Sequence, residues 1–263
     1  MRSRLLIAAS AVLLWTVCPP QVASARPSVH LSAWLTPERL GHRSTIGMAI
    51  KIADRGTRVP RPVRQLNLRY PNNLGIGLSG LGLTVCTTAA LEAKGPTGCP
   101  PNSVMGHGTA LAVVPFGPEL IHESATVTIV RAQDEEGLIA LLFDAQGLSP
   151  VKANIVLSAR LFPSPLPYGG RLSINVPLIP SLPEAPPVSL LSLRATLGPE
   201  GLTYYELVEG EEVPYVPKGI LLPDSCPHGG FPFAAGLVFQ GGARASVQAS
   251  VRCPARRADT RPR

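Results

Sequence analysis

Phe231-Pro232-Phe233-Ala234-Ala235-Gly236-Leu237-Val238-Phe239, then Gln240-Gly241-Gly242, then Ala243-Arg244-Ala245-Ser246-Val247-Gln248-Ala249-Ser250-Val251 is the stretch that decides the fold. Phe231, Phe233, Ala235, Leu237 and Phe239 fall on one face of an extended chain. After a glycine turn, Ala243, Ala245, Val247, Ala249 and Val251 return on the same period. Arg244, Ser246, Gln248 and Ser250 take the solvent side. Two period-two runs joined by residues that tolerate positive φ make a β-hairpin. Setting Phe239 against Ala243 brings Phe231 opposite Val251, so the open end of the hairpin lies near Cys226 and Cys253.

The same alternation recurs upstream. Ile46, Met48, Ile50 and Ile52 share a face, as do Ala153, Ile155, Leu157, Ala159 and Leu161, and Leu172, Ile174, Val176 and Leu178. A second hairpin joins Ala125–Val130 to Leu138–Phe143 through the polar residues 133–137. Proline (29) and glycine (25) cut the chain into short segments and oppose long helices. One short helix is expected near 89–94, with Thr88 as its N-cap and Gly95 just beyond its end. The expectation is an all-β chain: an antiparallel two-sheet sandwich, loosely immunoglobulin-like or jelly-roll. The proline-dense segment 162–187 leaves room for a subdivision near 163–170.

The first residues speak to compartment. Arg2 and Arg4 precede an apolar run from Leu5 to Val17, and Ala23-Ser24-Ala25 supplies small residues where a signal peptidase cuts. Residues 1–25 are therefore expected to be a signal peptide cleaved after Ala25, leaving a secreted chain without a transmembrane segment. Cys18 leaves with it. Cys86, Cys99, Cys226 and Cys253 remain, an even number in an oxidising compartment. Loop closure costs least between near neighbours, which favours Cys86–Cys99 and Cys226–Cys253. The hairpin reaches the second pairing independently. A four-thiolate zinc site is disfavoured because no C-x2-C pair exists.

The chain carries 24 basic and 17 acidic residues, unevenly spread. Residues 26–72 hold nine basic against two acidic, and 252–263 hold five arginines and Asp259. These read as solvated ends, with 255–263 a disordered basic tail; an anionic envelope polymer is the partner they would suit. Nucleic acid is not expected, since aromatics are only 5% of the chain and do not interleave with the cations.

Catalytic patterns fail on inspection. Ser149-Pro150-Val151-Lys152 matches S-x-x-K, but Pro150 leads into a β-alternating run where a helix is required. His122-Glu123 has Thr126 where a second zinc ligand belongs. His30, His42, His107, His122 and His228 are scattered singly, and His107 and His228, beside glycines, read as turn residues. The acidic group Glu206, Glu209, Glu211 and Glu212 lacks calcium-loop spacing. No catalytic, cofactor-binding or metal residue is assigned.

Cys86 … Gly98-Cys99-Pro100-Pro101-Asn102-Ser103-Val104-Met105-Gly106-His107-Gly108-Thr109-Ala110, with Cys226-Pro227-His228-Gly229-Gly230-Phe231 and Cys253-Pro254, resembles a group of uncharacterised exported β-sandwich proteins of high-GC Gram-positive bacteria. The resemblance implies a secreted, disulfide-bearing β-fold over 60–254 and brings no activity. The functional expectation is a non-enzymatic surface or binding protein of the bacterial envelope. A secreted hydrolase with an unrecognised site, or a carbohydrate-binding module using Tyr168, Tyr204, Tyr205 and Tyr215, is the alternative. The exported chain should begin at Arg26; intact mass decides, and a soluble species retaining Met1 to Ala25 would refute the cleavage.

Overall fold

The computed structural model describes residues 27–54, 57–149, 152–179 and 187–254. The expected signal peptide and basic tail lie outside the described residues.

Among those residues the chain is antiparallel β with a single short α-helix. In chain order the strands are β1 Pro27–Thr36, β2 Arg43–Asp54, β3 Val63–Pro71, β4 Val104–Phe116, β5 Glu119–Arg131, β6 Ala140–Ser149, β7 Asn154–Pro163 and β8 Tyr168–Asn175. They continue as β9 Ser189–Leu197, β10 Tyr204–Val208, β11 Glu211–Tyr215, β12 Ile220–Leu221, β13 Phe231–Phe239 and β14 Arg244–Val251. One hydrogen-bonded path runs β1-β2-β9-β4-β5-β6-β7-β8-β3-β13-β14, and its two end strands lie side by side without a ladder between them.

The expected division into two packed sheets is therefore not what the ladder describes. The main sheet curls into a nearly closed barrel, and one set of alternate side chains fills its interior. The connection from Pro163 to Tyr168 joins β7 to β8, which pair directly through Ala159 and Ile174.

The local expectations about strands hold well. Phe231 pairs with Val251, and the Phe239 N–H donates to the Ala243 carbonyl at 2.9 Å. Ile129 pairs with Phe143 across β5 and β6. Helix α1 spans Thr88–Lys94. Its N-cap is Thr87, not Thr88: the Thr87 hydroxyl accepts from the Ala90 N–H at 3.2 Å. Gly95, at φ 62°, ends the helix in a conformation that favours glycine. His107 sits inside β4, not in a turn, and Gly106 and Gly108 flank it for a different reason. A Cβ on either would lie 1.9 Å or 2.4 Å from a backbone oxygen of β9.

The barrel is apolar inside and polar outside. His30 and Ser32, His122, Ser124 and Thr126, and Arg244, Ser246, Gln248 and Ser250 all face solvent. Barrels that span bilayers have the opposite alternation, with an apolar outer band. Among the described residues no helix is long and apolar enough to cross a membrane.

Both cysteine pairs stand at disulfide distance, with Cα separations of 5.2 Å for Cys86–Cys99 and 6.0 Å for Cys226–Cys253. The second joins the start of β13 to the end of β14. Replacing Cys226 and Cys253 by serine should cost about 3–4 kcal/mol, from restored freedom of the unfolded chain. Urea denaturation of the oxidised proteins checks this; a loss below about 1 kcal/mol would show that the ladder alone fixes this hairpin.

Candidate functional site

The inward positions of the barrel enclose two apolar cavities. The first, about 260 Å³, lies toward the β4–β5 and β13–β14 hairpin tips. Much of its space comes from small side chains: Ala110 and Ala112 on β4, Ala125 on β5, Ala145 and Gly147 on β6, and Ala153 just before β7. Interiors normally pack to crystal-like density with few voids, so a run of alanine and glycine at inward positions on neighbouring strands leaves room that larger neighbours would have filled. Larger apolar residues, among them Leu66, Ile121, Val127, Ile155, Ile174 and Leu193, make up most of the wall. Its one charged side chain is Glu123, whose Oε1 accepts from the Ser149 N–H at 3.0 Å.

The second cavity, about 240 Å³, lies deeper, among Met48, Leu68, Met105, Ile129, Leu141, Leu161, Leu172 and Ala195. Phe143 belongs to the wall of both cavities. Beyond the second cavity the barrel is plugged. Leu81, Leu202, Tyr204, Ile220 and Leu222 are buried there. The Tyr204 hydroxyl donates to the Val104 carbonyl and accepts from the Gly82 N–H at 2.9 Å, while Arg43 reaches the carbonyls of Leu78 and Gly219 at 2.7 and 3.1 Å. Among the described residues the other end is not plugged in this way. There Arg61 Nε lies 3.2 Å from Asp54 Oδ2 and ties the 57–62 loop to the rim.

The residues weighed in the sequence do not converge on these cavities. All five histidines, His30, His42, His107, His122 and His228, are exposed, and none lines either cavity. Ser149 ends a strand rather than opening a helix. Tyr204 is fully buried and meets Tyr215 edge-on at 5.9 Å, whereas Tyr205 is exposed and Tyr168 lies on a different strand under Arg69. The four tyrosines thus form no shared open platform. Glu206, Glu209, Glu211 and Glu212 are exposed on the separate β10–β11 hairpin. Among the described residues no three His, Cys, Asp or Glu side chains gather as a metal-binding group.

A second, smaller core lies outside the barrel. Leu91 of α1, Cys86 and Cys99 pack on the outward side chains Val130, Ala140 and Leu142. Asn154 Nδ2 donates to the Leu91 carbonyl at 3.0 Å and fastens the helix to β7. Asp144, outward on β6 beside this core, is fully buried and its carboxylate oxygens complete no hydrogen bond. Burial pushes its pKa up, and the nearby amides of Asn154 and Gln146 pull more weakly the other way.

No family model matches the chain, and neither a curated protein nor a solved structure does.

A raised folded-state pKa means that the native protein holds the Asp144 proton more tightly than the unfolded chain. This contribution is fully present below the ordinary carboxylate pKa and is lost as pH rises through the raised value. Asp144→Asn should therefore stabilise the protein at pH 7 by on the order of 1 kcal/mol, with the gain shrinking toward pH 4. Paired melts across that range test it; an equal or larger gain at the acid end would contradict the assignment.

Proposed function

We propose that this protein is an exported, non-enzymatic binding barrel that encloses an apolar small molecule in its lumen. The observation that carries the reading is the interior itself: two adjoining apolar cavities, the upper with six alanine or glycine residues among the larger apolar ones of its wall. An engineered apolar cavity of about 150 Å³ stays dry and takes up benzene; each of these is larger. Ligand sites are characteristically concave and mostly apolar with a few polar groups, and barrel mouths are a favoured place for them. Glu123 and the Ser149 N–H supply that polar element here. A polar exterior and two cysteine pairs suit a freely diffusing protein in an oxidising compartment. Cell-envelope association is part of the same proposal, since a carrier of insoluble molecules is useful where such molecules must cross water.

Fluorescence enhancement of N-phenyl-1-naphthylamine on binding the mature protein is the direct test. Ala125→Phe should fill the upper cavity and weaken probe binding about tenfold or more, equivalent to roughly 1.4 kcal/mol. The same substitution should leave stability unchanged or raise it by about 0.5–2 kcal/mol, as filling an empty cavity does. An ordinary close-packed core would instead lose about 1–3 kcal/mol. Failure of the unsubstituted protein to bind the probe would refute the reading.

A further inference from the structure

We propose that the two cavities are successive levels of one elongated site, and that its guest is a single long unbranched aliphatic chain with an uncharged polar head. This rests on the reading of the lumen as a ligand site. Leu66 and Leu68, Val127 and Ile129, Leu172 and Ile174, and Leu193 and Ala195 are neighbouring inward positions on four strands, one of each pair lining each cavity. Inward positions two residues apart are about 6.8 Å apart along a strand. The cavities are therefore stacked levels of one lumen, and Phe143, present in both walls, stands between them.

From Ile121 in the upper wall to Ile129 in the lower is about 27 Å along β5, or about 20 Å along the barrel axis at a tilt of about 40°. A space that long, with only about 260 and 240 Å³ at its two levels, suits a chain better than a fused ring system. The tail would pass Phe143 and end against the plug at Leu81 and Met105, both buried. Met105 can adjust its rotamer around a guest at small cost.

The head would remain at the opposite end, beside Glu123. Glu123 is the charged group of the upper wall. A carboxylate head would place like charge beside it, whereas a hydroxyl can donate a hydrogen bond to it. The lower wall does not offer a better place for an anion. Arg131 is bound to Asp134 at 2.6 Å, and Arg69 lies over the Tyr168 ring at 5.8 Å.

Displacement of N-phenyl-1-naphthylamine by octanol, dodecanol and hexadecanol tests the chain, and palmitate against hexadecanol tests the head. Affinity should rise about fourfold per added methylene up to hexadecanol. Hexadecanol should bind at least about tenfold more tightly than palmitate. Phe143→Trp, which thickens the partition, should stop the gain at the shorter alcohols; Phe143→Leu should preserve it. A plateau at octanol in the unsubstituted protein, or palmitate binding as tightly as hexadecanol, would overturn this inference while leaving the lumen reading intact. Absence of probe binding would remove both.

Discussion

Antiparallel pairing reverses strand direction at every step around a sheet, and the path here has an odd number of members, eleven. Its first and last strands, β1 and β14, consequently run the same way when the sheet curls back on itself. They meet side by side, but with the parallel relation that every other neighbour in the sheet avoids, and no ladder joins them. A barrel closed in this manner depends on whatever holds its two edge strands in place. On the β14 side that is the hairpin with β13, joined at its base by Cys226 and Cys253. On the β1 side it is a ten-residue ladder to β2, reinforced from outside by Trp34. The indole lies so close to Gly47 that any Cβ there would overlap it, and the Arg194 guanidinium of β9 stacks on the ring at 4.0 Å. Three strands are thereby fastened by one aromatic ring.

That seam fits the half-burial of most inward residues on this side, Val251 at the base being buried. Ala243, Ala245 and Ala249 point into the barrel next to an edge that no hydrogen bonds close. Bulk is concentrated on β13 instead, where Phe231, Phe233 and Phe239 are fully buried. These rings supply a large share of the apolar area removed from water, at about 25 cal/mol per Å². Stability is thus drawn from one arc of the wall and from the plugged end, which leaves the arc of β4, β5 and β6 to carry alanines and glycine around an open space. Empty apolar volume weakens a fold because its lining loses contact partners. A chain that retains such a space carries that weakness in one arc and offsets it in another.

Much of this was legible in the residues. Period-two alternation placed the strands and separated their faces, because a pleated strand sends successive side chains to opposite sides. The final hairpin, its register and both cysteine pairs followed from alternation and spacing alone. Curvature did not. Alternation separates inside from outside identically for two stacked sheets and for one sheet rolled up, and the choice is made by pairings remote in sequence. β9 enters between β2 and β4, and β3 between β8 and β13; nothing local in Ser189–Leu197 or Val63–Pro71 announces those neighbours. The lumen was hidden for a related reason. Ala110, Ala112, Ala125, Ala145 and Gly147 look like weak strand residues until their strands are seen to be adjacent. Even Gly106 and Gly108, which suggest a turn around His107, owe their identity to the approach of β9.

Asp144 illustrates the same limit from the polar side. In a half-exposed sheet an aspartate at an outward position would sit in water, as Arg244 and Ser246 do. Here α1 and the Cys86–Cys99 pair cover part of the outer face of β6 with a small core of their own, and a carboxylate beside that cover is buried without a hydrogen bond. The barrel is therefore covered on both sides along this stretch, with cavity space on the inner face of β6 and a disulfide-capped helix on the outer one. Phe143 and Asp144 are consecutive residues facing these opposite environments. Displacement of the Phe143 ring by a guest would strain the backbone on which Asp144 is carried. The outer core resists that strain, since Leu91 is fully buried and Asn154 ties the helix to the next strand. The packed outer core over β6 braces this part of the wall against collapse into the cavity on its inner side.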